Sequence, residues 1–235
     1  MRSIELTAGA LSASISTHGA WLERLEKNGV PILFPKRTFT LADGTEKIRG
    51  GCHVCFPNFG PGGESGLAQH GFARDLEWTI TEQQESTATF TLRIVSGPYA
   101  GLDLGLSYEL NENAVSMRLH VRNVSESEFR VSPGFHPYFA ASPNADVAID
   151  DAVYDSNAIS DAVMLSGTPK RMAIGAKDIV MQAENLPQWV LWSDKLDDYI
   201  CIEPTKAGFS FLQDATLDEL LLPAQSKDWA LTIRL

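Results

Sequence analysis

The stretch "LDLGLSYELNENAVSMRLHV", residues 102–121, decides the fold class. Leu102, Leu104, Leu106, Tyr108 and Leu110 alternate with polar or small residues, and Val115, Met117, Leu119 and Val121 do so again beyond the polar "NEN" at 111–113. Side chains of an extended chain point to opposite faces in turn, so this spacing predicts two half-buried strands joined by a short turn, a β-hairpin.

The same period extends outward in both directions. "TATFTLRIV" (87–95) sets Ala88, Phe90, Leu92 and Ile94 on one face, and "WALTIRL" (229–235) ends the chain in the same pattern. In "LEKNGVPILF" (25–34), Asn28-Gly29 suits the positive φ values of a tight hairpin turn, so "LERLEK" (22–27) reads as a hairpin arm more than as a helical turn. A short helix over "LDELLL" (217–222), before Pro223, is the other helical candidate. The polar span from Ser142 to Asp161 reads as loops and short strands. No internal repeat, low-complexity tract or linker interrupts the chain. The expectation is an all-β chain, an antiparallel sandwich or barrel, forming a single domain over residues 1–235.

Composition narrows the function classes. With 44% hydrophobic and 21% charged residues this is an ordinary globular composition. Nineteen Lys and Arg face 30 Asp and Glu, a formal charge of −11, which argues against nucleic acid as the main partner while leaving room for a small anion at a local arginine cluster. Three cysteines, Cys52, Cys55 and Cys201, make a poor disulfide framework and fit a reducing compartment. The opening "MRSIELTAGA" carries no secretory pattern, and no run approaches the ~20 apolar residues that span a bilayer. A soluble, cytoplasmic protein with no membrane partner is expected.

Candidate chemistry gathers in four segments. In "RVSPGFHPYFA" (130–140), His136 shares a face with Gly134 and Tyr138, opposite Phe135, Pro137 and Phe139. It reads either as a hydrogen-bonded histidine near a strand end or as a general acid or base held by rigid backbone, with Gly134 leaving room for a ligand. In "DDYICIEPTKAG" (197–208), alternation sets Glu203 with Tyr199 and Cys201, opposite Ile200 and Ile202. It is either a solvated strand end or a carboxylate raised in pKa by apolar neighbours. "KIRGGCHVCFPNFGPGG" (47–63) and "LAQHGFAR" (67–74) bring Arg49, Asn58, Gln69, His70 and Arg74. The arginines are either surface cations or a forked clamp for carboxylate or phosphate, and the amides suit sugar hydroxyls. Cys52-His53-Val54-Cys55 is a C-x-x-C, but in an apolar, strand-like run with no second pair it reads as buried thiols. Phosphate-cradling, nucleophile-elbow and dinucleotide motifs are missing from the sequence, and nothing in it asks for a metal or an organic cofactor.

"IRGGCHVCFPNFGPGG", "LAQHGFAR", "GFHPYF" and "ICIEP", in this order over residues 48–204, resemble the aldose 1-epimerase (galactose mutarotase-like) superfamily, and within it the hexose-6-phosphate epimerase branch. The resemblance implies a large antiparallel β-sandwich with a cleft on one sheet, where a sugar's α and β anomers interconvert without a cofactor. It implies His136 and Glu203 as the acid–base couple on opposite sides of the pyranose, His70 close to the sugar, and Arg49, Gln69 and Arg74 as substrate ligands, reaching the phosphate of a phosphosugar. Asn58 adds a neutral donor and acceptor. Cys52 and His53 depart from the apolar residue and proline common in the family, and Thr205 from a glycine. A further acidic ligand is expected between His136 and Glu203, with Asp155 and Asp178 as candidates. The leading expectation is a hexose or hexose 6-phosphate 1-epimerase. A sugar-binding or sensing module using the same cleft is the alternative, and a thiol or metal protein centred on Cys52 and Cys55 is a third reading without supporting ligands.

Overall fold

The computed structural model describes residues 2–142, 147–150, 152–155, 157–167, 170–174, 177–213, 215–216 and 219–235. Two nine-stranded sheets form from the described residues, and every strand pairing within them is antiparallel. Across the first sheet, in spatial order, run β1 (Ser3–Ala8), β2 (Leu11–Ser16), β3 (Leu22–Lys27), β7 (Cys52–Cys55), β13 (Gly134–Ala140), β20 (Tyr199–Thr205), β19 (Gln188–Trp192) and β16 (Val163–Ser166), with β4 (Val30–Pro31) paired to β3. The second runs β15 (Ala152–Tyr154), β14 (Val147–Ile149), β17 (Lys170–Ile174), β18 (Lys177–Glu184), β22 (Ser226–Arg234), β11 (Ala114–Asn123), β10 (Leu102–Asn111), β9 (Thr87–Ile94) and β8 (Thr79–Gln83). Two small ribbons, β5 (Arg37–Thr40) with β6 (Glu46–Arg49) and β12 (Phe129–Arg130) with β21 (Leu220–Leu221), complete the strands.

The hairpin read from 102–121 is β10 and β11, in register from Leu102↔Asn123 to Asn111↔Ala114. Its alternating apolar residues are buried, Leu106 and Val121 completely, and they join Phe90 of β9 and Leu231 of β22 in one core. "LERLEK" is a hairpin arm, β3, turning through Asn28 and Gly29 at φ 54° and 75° into β4. No α-helix occurs among the described residues; the short helical turns are 3-10 turns such as Ala73–Asp75. The helix expected over 217–222 is not what forms at its end: Leu220 and Leu221 pair with β12, while Leu217 and Asp218 lie outside the described residues.

The first sheet has two different faces. Val54, Phe135, Ile200, Ile202 and Leu191 point into the core shared with the second sheet. Full burial of a side chain such as Phe135 contributes about 1.5–3 kcal/mol. The alternate residues of the same strands point the other way, under the loop that follows β7, and there the sheet carries polar groups.

Candidate active site

Three central strands set the site. The pairing His136↔His53 joins β13 to β7, and Gly134↔Thr205 with Tyr138↔Cys201 sets His136 opposite Glu203 on β20. One row across the sheet therefore reads His53, His136, Glu203, with Val190 of β19 next in register. Directly opposed residues lie close enough for side-chain contact. Nε2 of His136 is 3.2 Å from Oε2 of Glu203, and the two residues are 3% and 2% exposed. The carboxylate is no solvated strand end. The couple stands side by side on one face of the sheet, with its two groups in contact, where the resemblance implied groups on opposite sides of a pyranose.

Packing orients the imidazole. The His136 ring stacks on Tyr138 at 4.5 Å and 15°, and its Nδ1 has no hydrogen-bond partner among the described residues. Gly134 leaves room for protein, not ligand: a Cβ there would lie 2.8 Å from the Pro204 carbonyl and 2.7 Å from the Phe59 ring.

The loop after β7 folds back as the opposite wall. His70 N–H donates to the Gly60 carbonyl (2.8 Å), and Phe72 N–H to that of Phe56 (2.9 Å). His70 takes φ 64°, uncommon for a residue with a side chain, and this turns its ring into the site. Its Nδ1 accepts from Gly60 N–H at 3.2 Å, and its Nε2 lies 3.3 Å from the side-chain amide of Gln69. Asn58 is fully buried and does not line the cavity. Its Nδ2 ties the Gly60 and Ala68 carbonyls together, so it shapes the loop that presents His70.

Arg49, at the end of β6, directs Nε and Nη2 to Asp194 Oδ2 at 3.0 and 2.8 Å, over the Trp192 ring. Tyr199 donates its hydroxyl to the other Asp194 oxygen. Arg74 comes from the turn Ala73–Asp75. It donates from Nη2 to the Gln69 carbonyl (2.9 Å) and has its Nε 3.8 Å from the exposed Asp75 carboxylate.

These groups enclose a cavity of about 340 Å³, the small end of the range for ligand sites. Glu203, His136, His70, Gln69, Arg49 and Arg74 line it, with Phe59, Tyr138, Ala162, Val190, Trp192 and Phe209 as flat or apolar walls. Burial raises the Glu203 carboxyl well above its ordinary range, against an opposing pull from Arg49. Burial, followed by the neighbouring His53 and His70 rings and the two arginines, lowers His136 well below its own. Both shifts favour the uncharged form of the pair. His70 is lowered to about 3, by burial first and then by Arg74 and Arg49, so it stays neutral. One set of possible metal donors forms among the described residues, His136, Cys201 and Glu203, with atoms within 4.8 Å of one another. Burial holds the Cys201 thiol protonated, which makes it a poor ligand.

Residues 2–170 match the family model described as aldose 1-epimerase. The chain belongs to the aldose 1-epimerase family. Two curated relatives, from Escherichia coli K12 and Salmonella typhimurium LT2, both carry the name "Putative glucose-6-phosphate 1-epimerase" and are 30% and 31% identical over 105 and 108 residues. Each match spans 43% of this chain and 36% of the relative. Among solved structures, a galactose mutarotase-like protein from Lactobacillus casei shares the fold at TM-score 0.77 and 17% identity, covering 99% of both chains. A Synechocystis sp. PCC 6803 protein does so at 0.79 and 22%, over 99% of this chain and 95% of its own.

Within this aldose 1-epimerase family member, the structure gathers His136, Glu203, His70, Arg49, Gln69 and Arg74 at one cavity and leaves Asn58 behind it. Neither expected acidic candidate reaches the site. Asp155 is exposed and accepts from Asn157 N–H, and Asp178 pairs on the surface with Arg171. Among the described residues, the acidic residue between His136 and Glu203 that comes nearest the site is Asp194, two positions beyond Trp192, which pairs with Arg49 and does not itself line the cavity. Cys52 and Cys55 are free and buried, and their spacing of three sets them on opposite faces of a strand.

Proposed function

We propose that the chain is an aldose 1-epimerase interconverting the α and β anomers of a hexose or hexose 6-phosphate, with Glu203 and His136 as the acid–base couple. The observation that carries this reading is the buried Nε2–Oε2 contact of 3.2 Å at the base of a sugar-sized cavity. The hydroxyl oxygen and the ring oxygen of the anomeric centre share one carbon. Two proton-transfer groups standing side by side suit such a pair of oxygens.

From the ionised form of the couple Glu203 takes the proton of O1–H while His136 gives one to the ring oxygen, and from the uncharged form, which burial favours, the two roles are exchanged. The bond from C1 to the ring oxygen breaks as the C1–O1 double bond forms. The aldehyde turns about C1–C2, and the ring closes on its other face with the transfers reversed. The couple thus holds one transferable proton throughout and passes it between carboxyl and imidazole, aided by shifts that bring their basicities together. His70 hydrogen-bonds a sugar hydroxyl, and Gln69 adds an amide. Arg74 meets the phosphate of a phosphosugar, because Arg49 is already paired with Asp194. The name carried by the curated relatives supports the phosphosugar branch.

Anomer-exchange NMR with glucose, galactose and glucose 6-phosphate tests the reading. The wild type accelerates exchange of at least one sugar, and Glu203→Gln lowers kcat by about 10²–10⁴-fold, the range of general acid–base catalysis. Sugars that bind without faster exchange would identify a binding module instead. Full activity in the Gln variant would remove Glu203 from the couple.

A further inference from the structure

His53 enters the row of chemical groups from beneath. It is 1% exposed, pairs with His136 across the sheet, and does not itself line the cavity. Its ring is gripped by Trp21 at 4.4 Å between centroids and by His136 at 4.9 Å. Nδ1 lies 3.3 Å from the Val54 carbonyl, which only accepts, so the proton belongs on Nδ1 and the lone pair on Nε2. That lone pair faces Nη1 of Arg74 at 3.4 Å, and an arginine N–H only donates.

The partner's chemistry matters. Asp194 orients Arg49 and cancels its charge, whereas a neutral imidazole orients a guanidinium and leaves its charge in place. Arg74 is also pinned from behind: a Cβ on Gly19 would lie 2.3 Å from the Arg74 carbonyl, so that backbone rests directly on the glycine. With the Gln69 carbonyl on Nη2, the guanidinium is held at the cavity wall, with the exposed Asp75 carboxylate at the longer distance of 3.8 Å.

We propose that His53 is a positioning residue that holds Arg74 over the cavity as the receptor for an anionic phosphate, and so sets the preference for phosphorylated over free sugar. The proposal rests on the reading of the cavity as a sugar site. Burial foremost, then Arg74, His70 and Lys36, lowers His53 well below its ordinary pKa, which preserves the acceptor lone pair. A long, rotamer-rich cation held in advance loses less freedom when the anion arrives.

Two substitutions separate packing from hydrogen bonding. His53→Phe keeps a flat ring against Trp21 without the lone pair, and His53→Gln keeps an acceptor. The ratio of kcat/KM for glucose 6-phosphate to that for glucose falls about tenfold in His53→Phe, as loss of one hydrogen bond to a charged group implies, and stays within about threefold in His53→Gln. In an Arg74→Ala background, His53→Phe lowers the ratio no further. An unchanged ratio in His53→Phe, or an equal fall in the Arg74→Ala background, overturns the proposal. His53→Leu serves in place of a Phe variant that does not fold. Where the wild type accelerates exchange of neither sugar, the epimerase reading fails, and the His53 proposal is then decided by the same ratio taken from calorimetric Kd values. No wild-type preference for glucose 6-phosphate in either measurement overturns it as well.

Discussion

At the scale of single residues, the His136–Glu203 couple makes a pH prediction whose sign follows from burial. A second proton on the couple removes the base, and loss of the transferable proton removes the acid, so the profile of kcat/KM is a bell whose limbs belong to the pair. Burial lowers His136, so the acid limb falls below the ordinary imidazole value of about 6.5. Burial raises Glu203, so the alkaline limb lies above the ordinary carboxylate range. Activity on glucose therefore shows no acid-side loss centred on pH 6.5, and His70, already neutral, adds no limb. Glucose is the sugar to use, because a phosphate monoester titrates near pH ~6 itself. An acid limb centred on 6.5 in the anomer-exchange rate would show an unperturbed imidazole and contradict this account. Residue setting marked His70, His136 and Glu203 as candidates with a structural reading beside each, and their roles came from the resemblance of their motifs to the family. His53 and Asp194 had no such setting. The cysteines flanking His53 drew the reading to thiols, and Asp194 is one acid among several between 194 and 198.

At the scale of elements, alternation was readable and adjacency was not. The period of two by itself sorts each strand into an inner and an outer face, as for Phe135 and Ile202 against His136 and Glu203. Which strands lie side by side depends on pairings such as Gly134↔Cys55 and Gly134↔Thr205, between residues 70 or more positions apart. No local pattern encodes that, so the row His53–His136–Glu203 emerges only once β7, β13 and β20 are placed. At Gly134 the structure leaves no room for a side chain. In Gly134→Ala the new methyl group meets the Pro204 carbonyl, one residue from Glu203, and the Phe59 ring that walls the cavity. Crowding of this kind costs about 1–3 kcal/mol. The expected result is a lower melting temperature together with a raised KM for sugar. A variant that melts and turns over like the wild type would show that β20 and Phe59 yield without disturbing the site.

At the scale of the whole molecule, stability and chemistry occupy opposite faces of the first sheet. Leu106 lies in the core on the second sheet, fully buried and separated from the cavity by the strands that carry it. Leu106→Ala should destabilise by about 2–5 kcal/mol, read by urea denaturation, while KM for sugar stays within error. A change in KM as large as that at Gly134 would mean that the two faces are coupled. Thiol labelling gives an independent measure: Cys52, Cys55 and Cys201 are buried, with pKa values raised by burial, so none reacts with an exposed-thiol reagent until the chain unfolds. Labelling at native rates would contradict the packing. The two-faced strand also bears on how such a protein diversifies. A substitution at an inward position acts on folding, and one at a position between them acts on the cavity. Drift in substrate preference can thus proceed by point changes at every second position of three strands, 53 among them, and a mutant library restricted to those positions would sample new specificities with most members still folded.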